Sequence, residues 1–577
     1  MSMRSRFAET VEILLPLLIA VGVAWWALRA SGYWLVDDSF ISFRYATNLA
    51  KGAGLTWNPG TPVEGYTNLL WVLLLTPFAY FDIDLILPAA ALGLLFQLLT
   101  LVLMGHITRR CFPHATPWLR VVAPLLLATN LHWAFWTVSG MESASFAFWV
   151  LLSVHLALRG RETKTRSWAL SISLVAAYLT RPEGAMVAAL VMGWEFASAW
   201  WVGGKGARLA FMRQRFRQLW LPVTLLALVV AGHIALRLWY YGFLLPNTFY
   251  AKVIPGGAAF WRGLSHVQFF LFGAAGVLVL PGLLPLWSMC RRSRGHLARG
   301  HLAQSPLAKG YLAQGYLLLF VYLIYVSIIG GDLPGWARFY LPLVPLPLVA
   351  MSGLLVAGNA WLKRWPGRAQ ATMALSVVGI LAGQQLISAP AALANMHVVR
   401  VVRDRNVGLR EFFFRAHVPP DALLAIDAVG AFGYYLPNRI IDTWGLNDTV
   451  IAHRRLRSRA KGRFAHEKDD WHYVLHQHPD FIIESVHVPP LRGYDACWPN
   501  ALVRPVQIRR RNYPLKEAQR GLGMPPGSLR TLKLPPPCVH PYVGLDQLRR
   551  FSSTGSWRSH SSQGRPQGRH RGPHDNR

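Results

Sequence analysis

Long apolar stretches recur along the first 390 residues of this chain, and they constrain its fold more than any other feature. Because a helix needs about 20 apolar residues to cross a bilayer core, they predict a polytopic α-helical membrane protein with about 11–12 spans. Hydrophobic residues make up 53% of the chain and the mean hydropathy is +0.28, far above an ordinary soluble protein. The run 68–80 is shorter and indicates a half-helix or a short tilted span. The predicted spans are 11–30, 85–106, 118–136, 143–159, 167–180, 184–202, 220–239, 266–290, 314–330, 339–357 and 370–389.

Charged residues are distributed unevenly between the loops that join these spans. The chain carries 59 Lys and Arg against 27 Asp and Glu, a formal net charge of +32. Since basic loops of membrane proteins stay in the cytoplasm, this excess reports topology and does not indicate a nucleic-acid partner. The basic loops are 109–110, 159–166, 205–217, 291–309 and 363–368. The loops on the opposite side carry acids, glycines, prolines and aromatic residues in compact motifs, which predicts chemistry at the outer face of the membrane.

The sequence changes character from residue 391 onward. Segments such as ALLAIDAVGAFGYYL, RIIDTWGL and PDFIIES are typical of buried strands with turn and helix signals between them. We therefore divide the chain into a transmembrane domain over 1–390, with a first outer loop at 31–67, and an α/β domain over 391–551. The parity of the spans places the α/β domain on the outer side. The last residues, 552–577, are rich in Ser, Gly, Arg and His, which predicts a disordered basic tail.

Two adjacent carboxylates, Asp37 and Asp38, follow the first span and precede a Gly/Pro/Asn-rich stretch. Charges at the mouth of a membrane helix are costly, which favours a functional role for them. The two carboxylates suit a general base that takes a proton from a hydroxyl, and they also suit a divalent cation such as Mg²⁺ or Mn²⁺. A structural role is open as well, because either aspartate can cap a helix that starts near Ser39.

Three basic residues are candidates for binding an anionic phosphate. Arg338 is the strongest, since a guanidinium holds phosphate oxygens bidentately. Lys252 offers a point charge, and Arg44 shares a helix face with Asn48 and Lys51. Each has a simpler explanation: snorkelling at the membrane interface for Arg338, an interfacial aromatic belt around Lys252 and a solvated helix face for Arg44.

Polar and aromatic residues of the outer loops and of one strand end are candidates for binding sugar hydroxyls or the acceptor. Charges at such a depth in a membrane protein usually face a cavity. Arg181 and Glu183 can equally pair with neighbours inside the bundle. The candidates are Glu64, Tyr66, Asn68, Glu142, Arg181, Glu183, Asn247, Tyr250, Asp332 and Trp444.

These motifs, in this order, resemble the GT-C class of membrane glycosyltransferases. The most specific part is the run DDSFISFRYATNLAKGAGLTWNPGTPVEGYTN, which is followed by TRPEG, PNTFYAK, GGDLPGWARF and IDTWGLND. Within the class the chain is most similar to actinobacterial terminal arabinofuranosyltransferases and their bacterial relatives, over residues 10–490. One departure is the short spacing before the arginine of GGDLPGWARF, which weakens the assignment of Arg338 to a phosphate.

The resemblance implies a multi-pass enzyme of the bacterial inner membrane that acts at the outer face, with its C-terminal domain in the periplasm. It implies a polyprenyl-phosphate sugar as donor, with arabinofuranose as the best guess, and a cell-envelope glycan or glycoconjugate as acceptor. The acceptor hydroxyl would attack the anomeric carbon with inversion while lipid phosphate leaves. Asp37 or Asp38 matches the catalytic acidic pair of the family.

Two other classes of function compete with this interpretation. A flippase or transporter of lipid-linked sugars predicts charges deep within several spans and repeat symmetry, whereas the polar residues here cluster at outer ends and no repeat is evident. A glycan-assembly subunit without catalytic activity would tolerate Asn at both Asp37 and Asp38.

Overall fold

The structure is a computed structural model, and it describes most of the first 483 residues and two short strands beyond them. The described residues are 3–158, 163–202, 208–252, 257–274, 306–332, 336–362, 369–408, 418–454, 468, 470–483, 494–497 and 506–509.

Helices joined by loops make up the N-terminal part that the structure describes. Among the described residues, five helices have the length and composition to cross a membrane: Glu9–Ala30, Ile86–Cys111, Leu209–Tyr240, Ala308–Ile329 and Ala374–Asp404. Shorter apolar helices pack beside them. The helices are α1 Met3–Ala30, α2 Asp37–Ala50, α3 Leu69–Tyr80, α4 Ile86–Cys111, α5 Pro117–Arg120, α6 Val122–Thr129, α7 Leu131–Thr137, α8 Ser143–Leu158, α9 Lys164–Thr180, α10 Gly184–Val202, α11 Arg208–Tyr240, α12 Asn247–Lys252, α13 Gly257–Gly273, α14 Pro306–Ile329, α15 Pro345–Leu362 and α16 Ala369–Gly408.

Three predicted spans differ from the structure. The span predicted at 339–357 begins with the 3-10 turn Leu341–Leu343 and becomes the helix α15 only at Pro345. The span predicted at 118–136 is divided into α5, α6 and α7, because the side chain of Asn130 accepts a hydrogen bond from Trp133 N at 2.8 Å and starts a new helix. The span predicted at 370–389 lies within the 40-residue helix α16, which continues through Pro390. The predicted domain boundary at 390 therefore falls inside a helix. The run 68–80 forms the 12-residue helix α3, short as expected.

A five-stranded mixed sheet confirms the predicted α/β character of the C-terminal part. Its strands are β1 Leu424–Ile426, β2 Ile440–Asp442, β3 Phe481–Ile483, β4 Tyr494–Cys497 and β5 Val506–Arg509, in the order β2-β1-β3-β5-β4. The first three strands are parallel, and β5 pairs antiparallel with β3 and β4. Strands β1, β2 and β3 are fully buried, as short apolar strands of a covered parallel sheet should be. Among the described residues, the short helix α17 Gly430–Tyr435 lies between β1 and β2, and α18 Thr449–Ala452 and α19 Trp471–His476 lie between β2 and β3.

Some expectations concern residues outside the described part of the chain. The predicted basic tail at 552–577 is one, and most of the predicted span 266–290 is another, since the description stops at residue 274. The structure describes enough to place the candidate site, which lies where α2, α12 and α17 meet the start of the segment 336–340.

A buried charge cluster lies at the opposite end of α1 from this site. Glu12 accepts from Arg109 Nε and from Arg120 Nη2, each at 3.1 Å. The three side chains join α1 to α4 and α5. The cluster contains an Arg–carboxylate contact of the same chemical kind as those of the candidate site, but at a distance from that site.

Candidate active site

The two adjacent aspartates have different partners. Successive side chains of a helix point in different directions, and both residues lie in the first turn of α2. The carboxylate of Asp37 accepts hydrogen bonds from Gly430 N and Ala431 N, each at 3.0 Å. The capping role left open by the sequence thus falls to Asp37, but the helix it caps is α17, 393 residues further along the chain.

Asp38 lies beside two cations and keeps access to solvent. Its Oδ2 is 3.1 Å from Arg338 Nη2 and 3.9 Å from Lys252 Nζ. Its side chain is 28% exposed and that of Lys252 is 27% exposed, whereas the Arg338 side chain is only 6% exposed. The structure therefore brings together three residues of the predicted site, Asp38, Lys252 and Arg338.

Arg338 is held in a pocket of aromatic rings and carboxylates. It donates to Asp332 through Nε and Nη2. Its guanidinium carbon lies 5.5 Å from the Trp336 ring centroid and 5.8 Å from that of Trp136. Burial lowers the pKa of Arg338, but the carboxylates of Asp332 and Asp38 more than compensate and leave that pKa raised. The Nη1 group is buried and has no hydrogen-bond partner in the part of the chain that the structure describes. Asp332, predicted to bind sugar, instead orients this arginine.

Arg44 is a correction to the predicted phosphate set. A guanidinium has five N–H donors, and here Arg44 donates to the carbonyls of Trp57, Gly433, Leu436 and Asn438 and to Asn58 Oδ1. It also lies 4.7 Å from the Trp57 ring centroid. Burial lowers the pKa of Arg44 to about 10. With these partners it fastens α2 to the C-terminal domain, so we no longer assign it to a phosphate.

Four of the candidates for sugar binding form one buried network. Arg181 Nη1 donates to Glu142 Oε1 at 2.6 Å, and Arg181 Nη2 donates to Glu183 at 3.1 Å. Asn68 Nδ2 donates to Glu142 Oε2 at 2.8 Å. Arg181 therefore pairs with Glu142 and Glu183 inside the helix bundle, which is the alternative that the sequence left open for Arg181 and Glu183. We assign all four residues to holding the helices around the site, because their polar groups satisfy one another.

Three further candidates support the architecture of the first loop. Both carboxylate oxygens of Glu64 accept from Arg237 Nε, at 2.9 and 2.8 Å, and the Tyr66 hydroxyl lies 3.1 Å from that of Tyr241. Asn247 Nδ2 donates to three carbonyls of the C-terminal domain, those of residues 445, 446 and 448. All three candidates are buried. Direct sugar binding by Glu64 or Tyr66 would compete with these contacts, whereas Asn247 Oδ1 has no hydrogen-bond partner among the described residues.

Tyr250 and Trp444 keep part of their side chains accessible. The Tyr250 ring centroid lies 4.3 Å from that of His453. Trp444 is half-buried, and its backbone N–H donates to Asp442 Oδ1 at 3.0 Å. Burial raises the pKa of Asp442 to about 7, against the opposing hydrogen bonds from Asn447 and Trp444. These two aromatic residues remain candidates for contact with a sugar.

The residues present do not fit the divalent cation considered from the sequence. Within the described ranges, no group of three or more His, Cys, Asp or Glu residues is arranged to hold a metal ion. Both oxygens of Asp37 accept from backbone N–H groups, and Asp38 has two cations beside it. A third positive charge would be repelled there, so we derive no step through a metal.

Sequence reasoning missed the residues that surround Arg338. Trp136 and Trp336 flank its guanidinium, and His266 of α13 lies close enough to Arg338 and Asp332 to interact electrostatically with both. A lone histidine and two tryptophans in apolar segments carry no spacing signal. Only the position of Trp336, two residues before the arginine, offers a hint.

Replacing Arg44 with Lys is expected to loosen the contact between α2 and α17, because a lysine keeps the charge but has too few donors for these acceptors. Loss of several buried charge-assisted hydrogen bonds costs on the order of 2–4 kcal/mol. Hydrogen exchange over residues 430–440 should therefore accelerate by about 30–1000-fold. Arg29→Lys, at an exposed position near the end of α1, is the control and should leave exchange unchanged. Equal exchange in Arg44→Lys and the unmodified protein would contradict this role.

Comparisons with known proteins define the class of this fold. ArnT from Cupriavidus metallidurans, solved with undecaprenyl phosphate, aligns with a TM-score of 0.52 and 13% identity over 86% of this chain and 97% of that chain. The apo oligosaccharyltransferase of Archaeoglobus fulgidus aligns with a TM-score of 0.53 and 12% identity over 84% of this chain and 70% of that chain. The chain thus has the fold of GT-C membrane glycosyltransferases, which confirms the resemblance seen in its sequence.

The relatives found by sequence similarity have more specific names than the structural neighbours. The terminal β-(1→2)-arabinofuranosyltransferase of Mycobacterium tuberculosis is 28% identical over 269 residues, which cover 44% of this chain and 40% of the relative. Its counterpart from Corynebacterium glutamicum is 26% identical over 291 residues, covering 44% and 39%. The chain thus aligns with about two fifths of the length of these relatives. Residues 394–520 also match a family model described as a domain of unknown function, DUF8728.

Proposed function

We propose that this protein is an inverting glycosyltransferase that uses a polyprenyl-phosphate sugar as donor. The observation that carries the proposal is the position of Asp38, a partly exposed carboxylate 3.1 Å from Arg338 and 3.9 Å from Lys252. A base for the acceptor hydroxyl and cations for a leaving phosphate therefore lie in one site. The named relatives, two arabinofuranosyltransferases, and the lipid phosphate in the ArnT structure support this choice of donor.

The reaction follows from the chemistry of these three side chains. The acceptor hydroxyl loses its proton to Asp38 as its oxygen attacks the anomeric carbon. The bond from that carbon to the phosphate oxygen breaks, and the phosphate gains one negative charge. Arg338 and Lys252 stabilise this charge, so the leaving group needs little acid catalysis. Attack opposite to the leaving phosphate inverts the anomeric configuration.

The sugar and the acceptor are assigned by chemical class. Arabinofuranose is the sugar that the curated relatives favour, and a cell-envelope glycan or glycoconjugate is the acceptor. Trp444 and Tyr250 offer aromatic surfaces on which a sugar ring can stack. We place the protein in the bacterial inner membrane, with the site and the C-terminal domain on the periplasmic side, because the basic loops lie at the other ends of the spans.

The proposal is tested by transfer from a synthetic polyprenyl-phosphoryl arabinofuranose to a short glycan, with purified full-length protein. We expect a glycan extended by one sugar with inverted anomeric configuration. Donors that carry a hexose on the same lipid phosphate should be used at a lower rate. Absence of transfer from every donor would refute the enzyme, and movement of lipid-linked sugar across liposomes would then favour the flippase alternative.

A further inference from the structure

A buried histidine packs against the segment that carries Asp332 and Arg338. His266, on α13, is 4% exposed, and its Nε2 has no hydrogen-bond partner among the described residues. Its ring is hydrogen-bonded to the backbone of Trp336, so the bonded nitrogen is Nδ1. A histidine ring held in this way has a fixed orientation, and the remaining nitrogen is available to a ligand.

The packing around His266 fixes it against the loop that carries Asp332. Gly331 has φ of +74°, and a Cβ built there would lie 2.9 Å from the Cβ of His266. The ring centroids of His266 and Tyr340 are 5.5 Å apart. Two buried donors in the same segment, Arg338 Nη1 and the Tyr340 hydroxyl, also have no partner. Unpaired buried polar groups are costly, and such a concentration of them points to a ligand.

The charges around His266 favour an anionic ligand whose binding is accompanied by protonation of the imidazole. The titratable and charged groups that face its ring are Asp332, Arg338, Tyr340 and His132. Asp332 and Asp38 together balance the charges of Arg338 and Lys252. A bound phosphodiester adds one negative charge, and an imidazolium would compensate it.

We propose that His266 is a second phosphate-binding residue of the donor site. It takes up a proton from solvent at Nε2, and the resulting N–H donates a hydrogen bond to a phosphate oxygen beside Arg338 Nη1. This inference rests on the proposed function. When the anomeric bond breaks, the phosphate charge changes from −1 to −2, and cationic groups that contact the phosphate stabilise the added charge. The proton from the acceptor still goes to Asp38, so the imidazole gains and loses no proton in the transfer step itself.

The test is the affinity for a polyprenyl methyl phosphodiester, measured from pH 5.5 to 8.5 with purified full-length protein. This probe keeps a single negative charge over the whole range, so any pH dependence belongs to the protein. We expect the unmodified protein to bind it roughly tenfold more tightly at the acidic end. His266→Asn, which keeps a donor near the position of Nδ1, should bind with an affinity that does not change with pH. His266→Gln gives the same comparison if the Asn variant fails to fold.

His472→Asn is the control, because it removes an exposed imidazole of the C-terminal domain and should preserve the pH dependence. Binding that is independent of pH in the unmodified protein would overturn the role of His266 while leaving the donor class intact. Equal pH dependence in the unmodified protein and in the His266 variants would do the same. Absence of binding at every pH would instead overturn the proposed donor, and His266 with it.

Discussion

Replacing Asp38 with Asn is expected to lower kcat by about 10³-fold, within the range of losses typical for a general base. The amide is nearly isosteric with the carboxylate but cannot take the proton of the acceptor hydroxyl. Donor binding should persist, because the phosphate contacts are assigned to Arg338 and Lys252. The measurement is single-turnover transfer with saturating donor, together with donor affinity measured separately.

Asp37→Asn is the matched control for this prediction. It is the same substitution at the adjacent residue, where the carboxylate accepts from Gly430 N and Ala431 N. An amide oxygen can still accept one of these hydrogen bonds, so we expect a loss of about 1 kcal/mol in docking of the C-terminal domain. The rate should fall by less than about tenfold. A large loss in Asp37→Asn with little effect in Asp38→Asn would reverse the assignment of the base.

The sequence predicted the parts of this site that depend on local order. Asp37 and Asp38 follow the first span directly, and a helix forms here as predicted, although it begins at Asp37 and not near Ser39. The acid and the arginine of GGDLPGWARF are six residues apart, and they do contact each other. These features follow from chain connectivity, hydropathy and charge, which can be obtained directly from the sequence.

The different partners of Asp37 and Asp38 could not be predicted, because they come from contacts between residues far apart in the sequence. Asp37 is committed to α17, 393 positions away, and Arg44 to Gly433, 389 positions away. The sequence pattern of α2 does not indicate that the C-terminal domain supplies backbone donors to Asp37 and backbone acceptors to Arg44. The break in the span at 118–136 was missed for another reason: the cap formed by Asn130 outweighs a continuous apolar pattern.

The second large effect is expected for Arg338→Lys, with a fall in kcat/KM for the donor of about 10²-fold or more. A lysine keeps the positive charge but lacks the planar guanidinium, whose separate N–H groups can donate to Asp332, Asp38 and a phosphate at the same time. Each lost charge-assisted hydrogen bond contributes about 1.5–3 kcal/mol, and one such bond is sufficient for a tenfold loss or more. Initial rates at varied donor concentration separate the effect on kcat from that on KM.

Because the phosphate charge grows as the anomeric bond breaks, most of the loss should appear in kcat. Arg109→Lys provides the control: it makes the same substitution at an arginine that binds Glu12 at 3.1 Å, near the other end of α1. If Arg109→Lys reduced transfer as strongly, both effects would reflect general destabilisation of the bundle. If Arg338→Lys changed neither kcat nor KM, the phosphate would have to bind elsewhere. The short spacing between Asp332 and Arg338 would then mark an ion pair that only stabilises the outer loop, and Lys252 would be left as the cation for the leaving group.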